Sequence, residues 1–194
     1  MLGALPAPGP RGPRTKLRMS SPRQQEVRQE CFLLLSTGWA KAAASFRRIR
    51  YVRVCWPRRR SGTLCKHNAT LSAAEGGCQA EIGVASAMAA ALVAAAYDAS
   101  PRVIENAAES ALEHHLGMTC DPVAGYVQVP CIERCAFGAV KAWTAWAIAS
   151  NEIESRHRVD LDATITAMAQ TAKDMNSKYK ETSQAGLALS VTLC

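Results

Sequence analysis

The sequence predicts a mainly α domain, and three observations carry that prediction. Apolar residues recur at helical spacing through the second half of the chain, and a Ser-Pro pair at Ser100 and Pro101 marks a clear helix start. The third observation is that there is too little two-residue alternation for a sheet. With 194 residues and 48% hydrophobic content, the chain is long enough for one domain with a packed core.

The formal charge of +7 is not spread evenly. Residues 1–66 hold 15 Lys or Arg and 2 acids, whereas residues 67–194 hold 8 and 14, so the two parts carry +13 and −6. The basic character therefore belongs to the N-terminal third. Residues 1–24 combine Pro6, Pro8, Pro10 and Pro13 with Arg11, Arg14, Lys16 and Arg18 and contain no apolar signal core. Such a stretch buries too little surface to offset the entropy of ordering and is expected to be disordered. Residues 25–45 can form a helix with Val27, Cys31, Leu34 and Leu35 on one face. The following RRIRYVRVCWPRRRSG mixes Arg with Trp and Tyr, a composition suited to nucleic acid or an anionic membrane surface. A basic binding module over residues 1–60 is therefore the alternative reading. The plainer expectation, favoured by the charge break, is a disordered or non-native basic segment over 1–60 and a folded domain over 61–194.

Residues 61–81 are polar and Gly-rich and lead into an alanine-rich helix over 82–97, whose small side chains let neighbouring helices approach closely. Its apolar run GVASAMAAALVAAAY has 15 residues, short of the roughly 18 that a membrane span needs. Ser100 as N-cap and Pro101 as first residue open the next helix. Val103, Ile104, Ala107, Ala108, Ala111 and Leu112 give it one buried face, and Gly117 stops it. A loop over 118–130 precedes a helix over about 132–150, and Asp160 is placed to cap a last helix over about 161–176. The tail KYKETSQAGLALSVTLC lacks a helical period and is expected to cross the surface and deliver Cys194.

Eight cysteines without a secretory signal point to a reducing, cytoplasmic setting rather than a disulfide framework. Cys78, Cys120 and Cys131 each stand near Gly or Pro at the edge of a turn between helices, a pattern that suggests a metal or cluster site. Their separations of 42 and 11 residues match neither a zinc finger nor a ferredoxin, both of which use short C-x2-C pairs. Cys31, Cys55 and Cys65 are expected to fill space. Cys135, one helical turn after Cys131, faces the same side, where it could reach a metal, but packing is the favoured expectation. His114 and His115 end a helix, where the partial negative charge raises imidazole basicity: either can be a general base, or one caps while the other is exposed. Arg134 suits a substrate carboxylate, or an ordinary ion pair with Glu133. Lys178, Lys180 and Glu181 are expected at the surface, and the glycosylation sequon at Asn68 and Thr70 is irrelevant in a cytoplasmic chain.

Taken together, NATLSAAEGGCQAEIGVASAMAAA, ENAAESALEHHLGMTCDPVAGYVQVPCIER and KDMNSKYKETSQAGLAL closely resemble the C-terminal part of the catalytic domain of bacterial iron–sulfur-dependent L-serine dehydratases, or L-serine ammonia-lyases. The resemblance runs from about residue 61 to 194 and preserves the order and spacing of several motifs. It implies a [4Fe-4S] cluster bound by Cys78, Cys120 and Cys131 in a helical domain. It further implies that Cys194 reaches into the active site as a tail and occupies the fourth iron until substrate displaces it. The implied reaction eliminates water from L-serine and hydrolyses the aminoacrylate to pyruvate and ammonia. L-serine is the implied small-molecule substrate, with no nucleic-acid or membrane partner and room for a homodimer. There are departures. The Ser-His-Thr and Pro-Thr-Asn-Gly segments expected near the substrate, and the regulatory β domain, do not occur in this sequence. Cys135 stands where Asn is expected, and Gln184 where Arg is expected. With the change of composition near Ser61, these departures predict a truncated catalytic domain with part of the substrate site missing.

Overall fold

The computed structural model describes residues 48–190 apart from 128, 154 and 155. Six α-helices follow one another: α1 (Arg48–Asn68), α2 (Ala73–Gly76), α3 (Val84–Ala96), α4 (Pro101–Glu113), α5 (Val129–Asn151) and α6 (Leu161–Asp174). A π-helical turn over Gln79–Gly83 leads into α3, and 3-10 turns over Ser177–Tyr179 and Gly186–Ser190 follow α6. Among the described residues there is no strand, only the isolated bridges Cys120 to Lys180 and Val123 to Tyr126. The mainly α expectation holds.

The alanine-rich α3 is the central helix. Ala87, Ala90 and Ala94 are fully buried, and α1, α4 and α5 pack around them. A methyl group at the contact lets backbones come close, and larger side chains from the neighbours fill the remaining space: Leu112 of α4 and Ile165 and Met168 of α6 complete this core. Together with the π-turn, the stretch Gln79–Ala96 reaches 18 residues with mean hydropathy 1.5, enough by length and composition to cross a membrane. Because 78% of it is buried inside the molecule, the stretch forms the core.

Both caps read from the sequence form. Ser100 Oγ accepts from the Val103 amide at 3.2 Å, with Pro101 in the first helical position where a missing N–H costs nothing. Asp160 Oδ1 accepts from the Ala163 amide at 2.7 Å. Helix α5 begins at Val129, ahead of residue 132, because Pro130 is tolerated in a first turn. Helix α6 stops at Asp174, since Asn176 caps the following turn instead, its Oδ1 accepting from the Lys178 amide at 3.1 Å.

The disorder expected across residues 1–60 needs correction over its last part. Residues 48–60 are helical, and α1 runs through Ser61 without a break. Its sequence has little helical periodicity, and what holds it is packing: Val54, Ser61 and Cys65 are buried, and Gly62 leaves room for the Met88 side chain of α3. Pro57 sits inside the helix, and Ser61 Oγ donates to its carbonyl at 2.8 Å. The helix expected over residues 25–45 lies outside the described residues.

A polar network ties α4, α5 and α6 together through the connection after α5. His157 Nε2 lies 3.0 Å from Glu109 Oε2, and its Nδ1 lies 3.0 Å from Glu152 Oε1. Thr164 Oγ1 donates to Glu109 Oε1 at 2.7 Å, and Asn106 Nδ2 donates to Glu152 at 2.8 Å. Burial pushes the His157 pKa down, but hydrogen bonds to Glu152 and Glu109 outweigh it, so the imidazole titrates above its ordinary range. Burial also raises the Glu109 carboxyl, against the hydrogen bonds from Thr164 and His157.

Candidate metal centre

The three thiols singled out by their turn positions come together. The Sγ atoms of Cys78, Cys120 and Cys131 all lie within 4.8 Å of one another, and all three residues are buried. Each arrives on a different element. Cys78 immediately precedes the π-turn, a bulge of the kind that often marks functional sites, and the Gln79 amide donates to the Met118 carbonyl at 3.1 Å. Gly77 must be glycine: its φ is +73°, and an added Cβ would lie 2.7 Å from the Met118 carbonyl oxygen. Cys120 is held from the other side, its amide donating to the Tyr179 carbonyl at 2.9 Å. Cys131 is the third residue of α5. Two of the thiols thus stand at or just before helix N-termini, where the partial positive charge lowers the cost of a thiolate.

The stretch after α6 straps the cysteine loop down. Lys180 bridges to Cys120, Ser183 Oγ donates to the Pro122 carbonyl at 2.6 Å, and Ser183 Oγ accepts from the Gly125 amide at 2.9 Å. Gly186 has φ +66° and lies directly against Asp121, whose Oδ1 would overlap any Cβ added there. Gln79, fully buried, adds a further tie: its Oε1 accepts from the Gly117 amide at 2.9 Å, and its Nε2 reaches the Met168 carbonyl of α6 at 3.5 Å.

Electrostatics favour a bound cation at the thiols. Hydrogen bonding to Cys120 pulls the Cys78 thiol down, but hydrogen bonding to Cys131 and burial outweigh it, and the thiol is pushed up to about 12. The Cys120 thiol is raised as well, through Cys131, Cys78 and burial. Three thiols this close cannot all ionise without a compensating positive charge, and a metal ion or cluster supplies one. The donor set is all thiolate, soft and buried, which fits an iron–sulfur cluster or a thiophilic metal rather than a hard cation such as Mg²⁺.

Other residues considered from the sequence take different places. Arg134 pairs with Asp121, Nη2 to Oδ2 at 2.6 Å, rather than with Glu133. His115 is buried, its Nδ1 2.6 Å from the Ala111 carbonyl oxygen, and it packs against Gly83 and Gly138. Burial holds its pKa down at about 4 despite that hydrogen bond, so the ring is neutral. His114 is exposed at the helix end. Cys135 is half-buried against the thiol cluster, and Cys65 lies in the main core, where burial raises its thiol to about 12. Cys31 and Cys194 lie outside the described residues. Asp121, Thr119 and Gln79 had no signal in the sequence beyond standing next to a candidate cysteine, yet they shape the site: Thr119 Oγ1 donates to Asp121 Oδ2 at 3.1 Å.

A family model described as "Serine dehydratase alpha chain" matches residues 58–188. L-serine dehydratase 2 of Escherichia coli is 56% identical over 133 residues, which cover 69% of this chain and 29% of that protein. The L-serine dehydratase of Streptomyces coelicolor is 50% identical over 133 residues, and that of Helicobacter pylori 56% over 127, covering 29% and 28% of their lengths. The chain therefore spans less than a third of the curated relatives it matches. With the match covering the segments that carry all three buried thiols, the chain belongs to the serine dehydratase alpha chain family, a family of lyases.

Proposed function

We propose that residues 61–194 form the C-terminal, cluster-binding part of an L-serine ammonia-lyase catalytic domain and hold a [4Fe-4S] cluster through Cys78, Cys120 and Cys131. The observation that carries this reading is the meeting of three buried thiols from three separate elements in a chain of this family. When bound, such a cluster supplies a Lewis acid that draws electron density from the serine hydroxyl as it leaves.

The chain's own residues have defined tasks in this reading. Cys78 and Cys131 present their sulfurs at helix starts, and Cys120 presents its sulfur from a loop pinned by Tyr179 and Lys180. The burial of all three excludes water from the ligands. The strap over residues 177–190 lies against the loop that carries Cys120 through Lys180, Ser183 and Gly186, and Cys194, outside the described residues, is the displaceable fourth thiolate in this reading. His115 does not suit the role of general base, since its ring is buried and its Nδ1 is committed to Ala111. Elimination of water from L-serine gives aminoacrylate, and its hydrolysis returns the water and releases pyruvate and ammonia.

The test is pyruvate release from L-serine by the full chain after anaerobic reconstitution with iron and sulfide. Turnover that disappears on Cys120→Ser supports the reading. A fully loaded protein that releases no pyruvate, even when supplied with the remaining part of a relative's catalytic domain, overturns the assignment of activity.

A further inference from the structure

Arg134 occupies a position that neither of its sequence readings anticipates. From α5 its Nη2 donates to Asp121 Oδ2 at 2.6 Å and its Nη1 donates to the Thr119 carbonyl at 2.8 Å, so the guanidinium ties the Cys131 helix to both sides of Cys120. The same Nη1 lies 3.7 Å from Cys78 Sγ. One planar cation thus links the segments carrying two of the thiols and faces the third. Asp121, only 2% exposed, holds that cation with one oxygen, while its Oδ1 is buried with no hydrogen-bond partner among the described residues. That oxygen lies against Gly186 of the strap, where no side chain fits.

We propose that Arg134 is a positioning residue for the thiolate centre: clamped by Asp121 beneath the strap, it orients Cys78 Sγ and sets the charge balance of the metal or cluster that the three thiols hold. The inference rests on reading Cys78, Cys120 and Cys131 as ligands and deepens it. Each added thiolate raises the cost of the next, and a fixed cation in contact with one of them offsets that cost. A nearby positive charge also favours the more negative, reduced state of a redox centre and so raises its potential. Lysine is a poor substitute, because an ammonium cannot make the forked contact to Asp121 and Thr119 while facing sulfur.

The experiment uses the full chain with two probes. Metal-free protein is titrated anaerobically with Cd²⁺, followed by thiolate-to-metal charge-transfer absorption, and protein reconstituted with iron and sulfide is titrated for its midpoint potential. Arg134→Met and Asp121→Asn are expected to weaken Cd²⁺ binding about tenfold or more, and Arg134→Lys by less. The potential is expected to fall in Arg134→Met and by less in Arg134→Lys, a tenfold change in a one-electron equilibrium being about 59 mV. Far-UV circular dichroism and thermal melting establish that each variant is folded. A folded Arg134→Met with unchanged Cd²⁺ affinity and potential overturns the proposal. Should the Met variant not fold, a folded Arg134→Lys with wild-type affinity and potential does the same. Wild-type protein that binds Cd²⁺ but takes up no sulfide defeats the cluster reading alone, and the Cd²⁺ series still tests Arg134. Wild-type protein that binds neither defeats both.

Discussion

Cys78, Cys120 and Cys131 could be found in the sequence because each stands near a Gly or Pro at a helix boundary, and a thiol held at such a boundary is poorly placed to be mere filler. What they meet could not be found the same way. Asp121 and Arg134 are 13 residues apart across a loop and a helix start, a separation with no helical or strand period, so their 2.6 Å ion pair follows only from the fold. The same holds for Gly186, whose need for glycine comes from Asp121 folded against it. At this scale Gly77 offers a clean test. Gly77→Ala forces a Cβ into the left-handed region and onto the Met118 carbonyl, so it should cost about 1–2 kcal/mol in thermal or urea unfolding and lower metal uptake. A Gly77→Ala protein with wild-type stability and metal content would contradict the account of how Cys78 is placed.

Among the elements, α4 and α6 were legible because cap, first turn and apolar face agree, and local chemistry decides where such helices begin. Helix α1 was not, because its buried residues Val54, Ser61 and Cys65 lie among arginines and its order comes from packing on α3. The π-turn after Cys78 was likewise hidden, since one extra residue in a helical pattern leaves no compositional mark. Leu112, fully buried between α4 and the core, should cost about 2–5 kcal/mol when cut to alanine, read by urea unfolding. Ser100→Ala should cost about 1 kcal/mol through loss of the cap on Val103. The His157 network gives a pH dependence. A His with a raised folded pKa contributes stability that is complete below its unfolded value and is lost as pH rises through the folded one. Glu109, also raised, adds a loss of the same sign, beginning above the ordinary carboxylate range. Melting temperature should therefore fall as pH rises above the ordinary histidine value of about 6.5, and His157→Gln should flatten that slope. An unchanged slope in the variant would show that the bridge between Glu109 and Glu152 does not control it.

For the whole molecule, the family match covers residues 58–188, and the chain spans less than a third of its curated relatives. Among the described residues, apolar side chains are exposed along α5, with Phe137 65%, Val140 62% and Ile148 55% exposed. The described residues bring together three buried thiols from separate elements, with an arginine clamped beside them and a strap fixed across the cysteine loop. The most direct test of that centre is iron and acid-labile sulfide analysis of the full chain after anaerobic reconstitution, beside Cys78→Ser, Cys120→Ser and Cys131→Ser. Iron and sulfide bound in equal amounts by the wild type, and lost from each variant, is the predicted result. Iron content that is negligible in the wild type, or unchanged by all three substitutions, would contradict it.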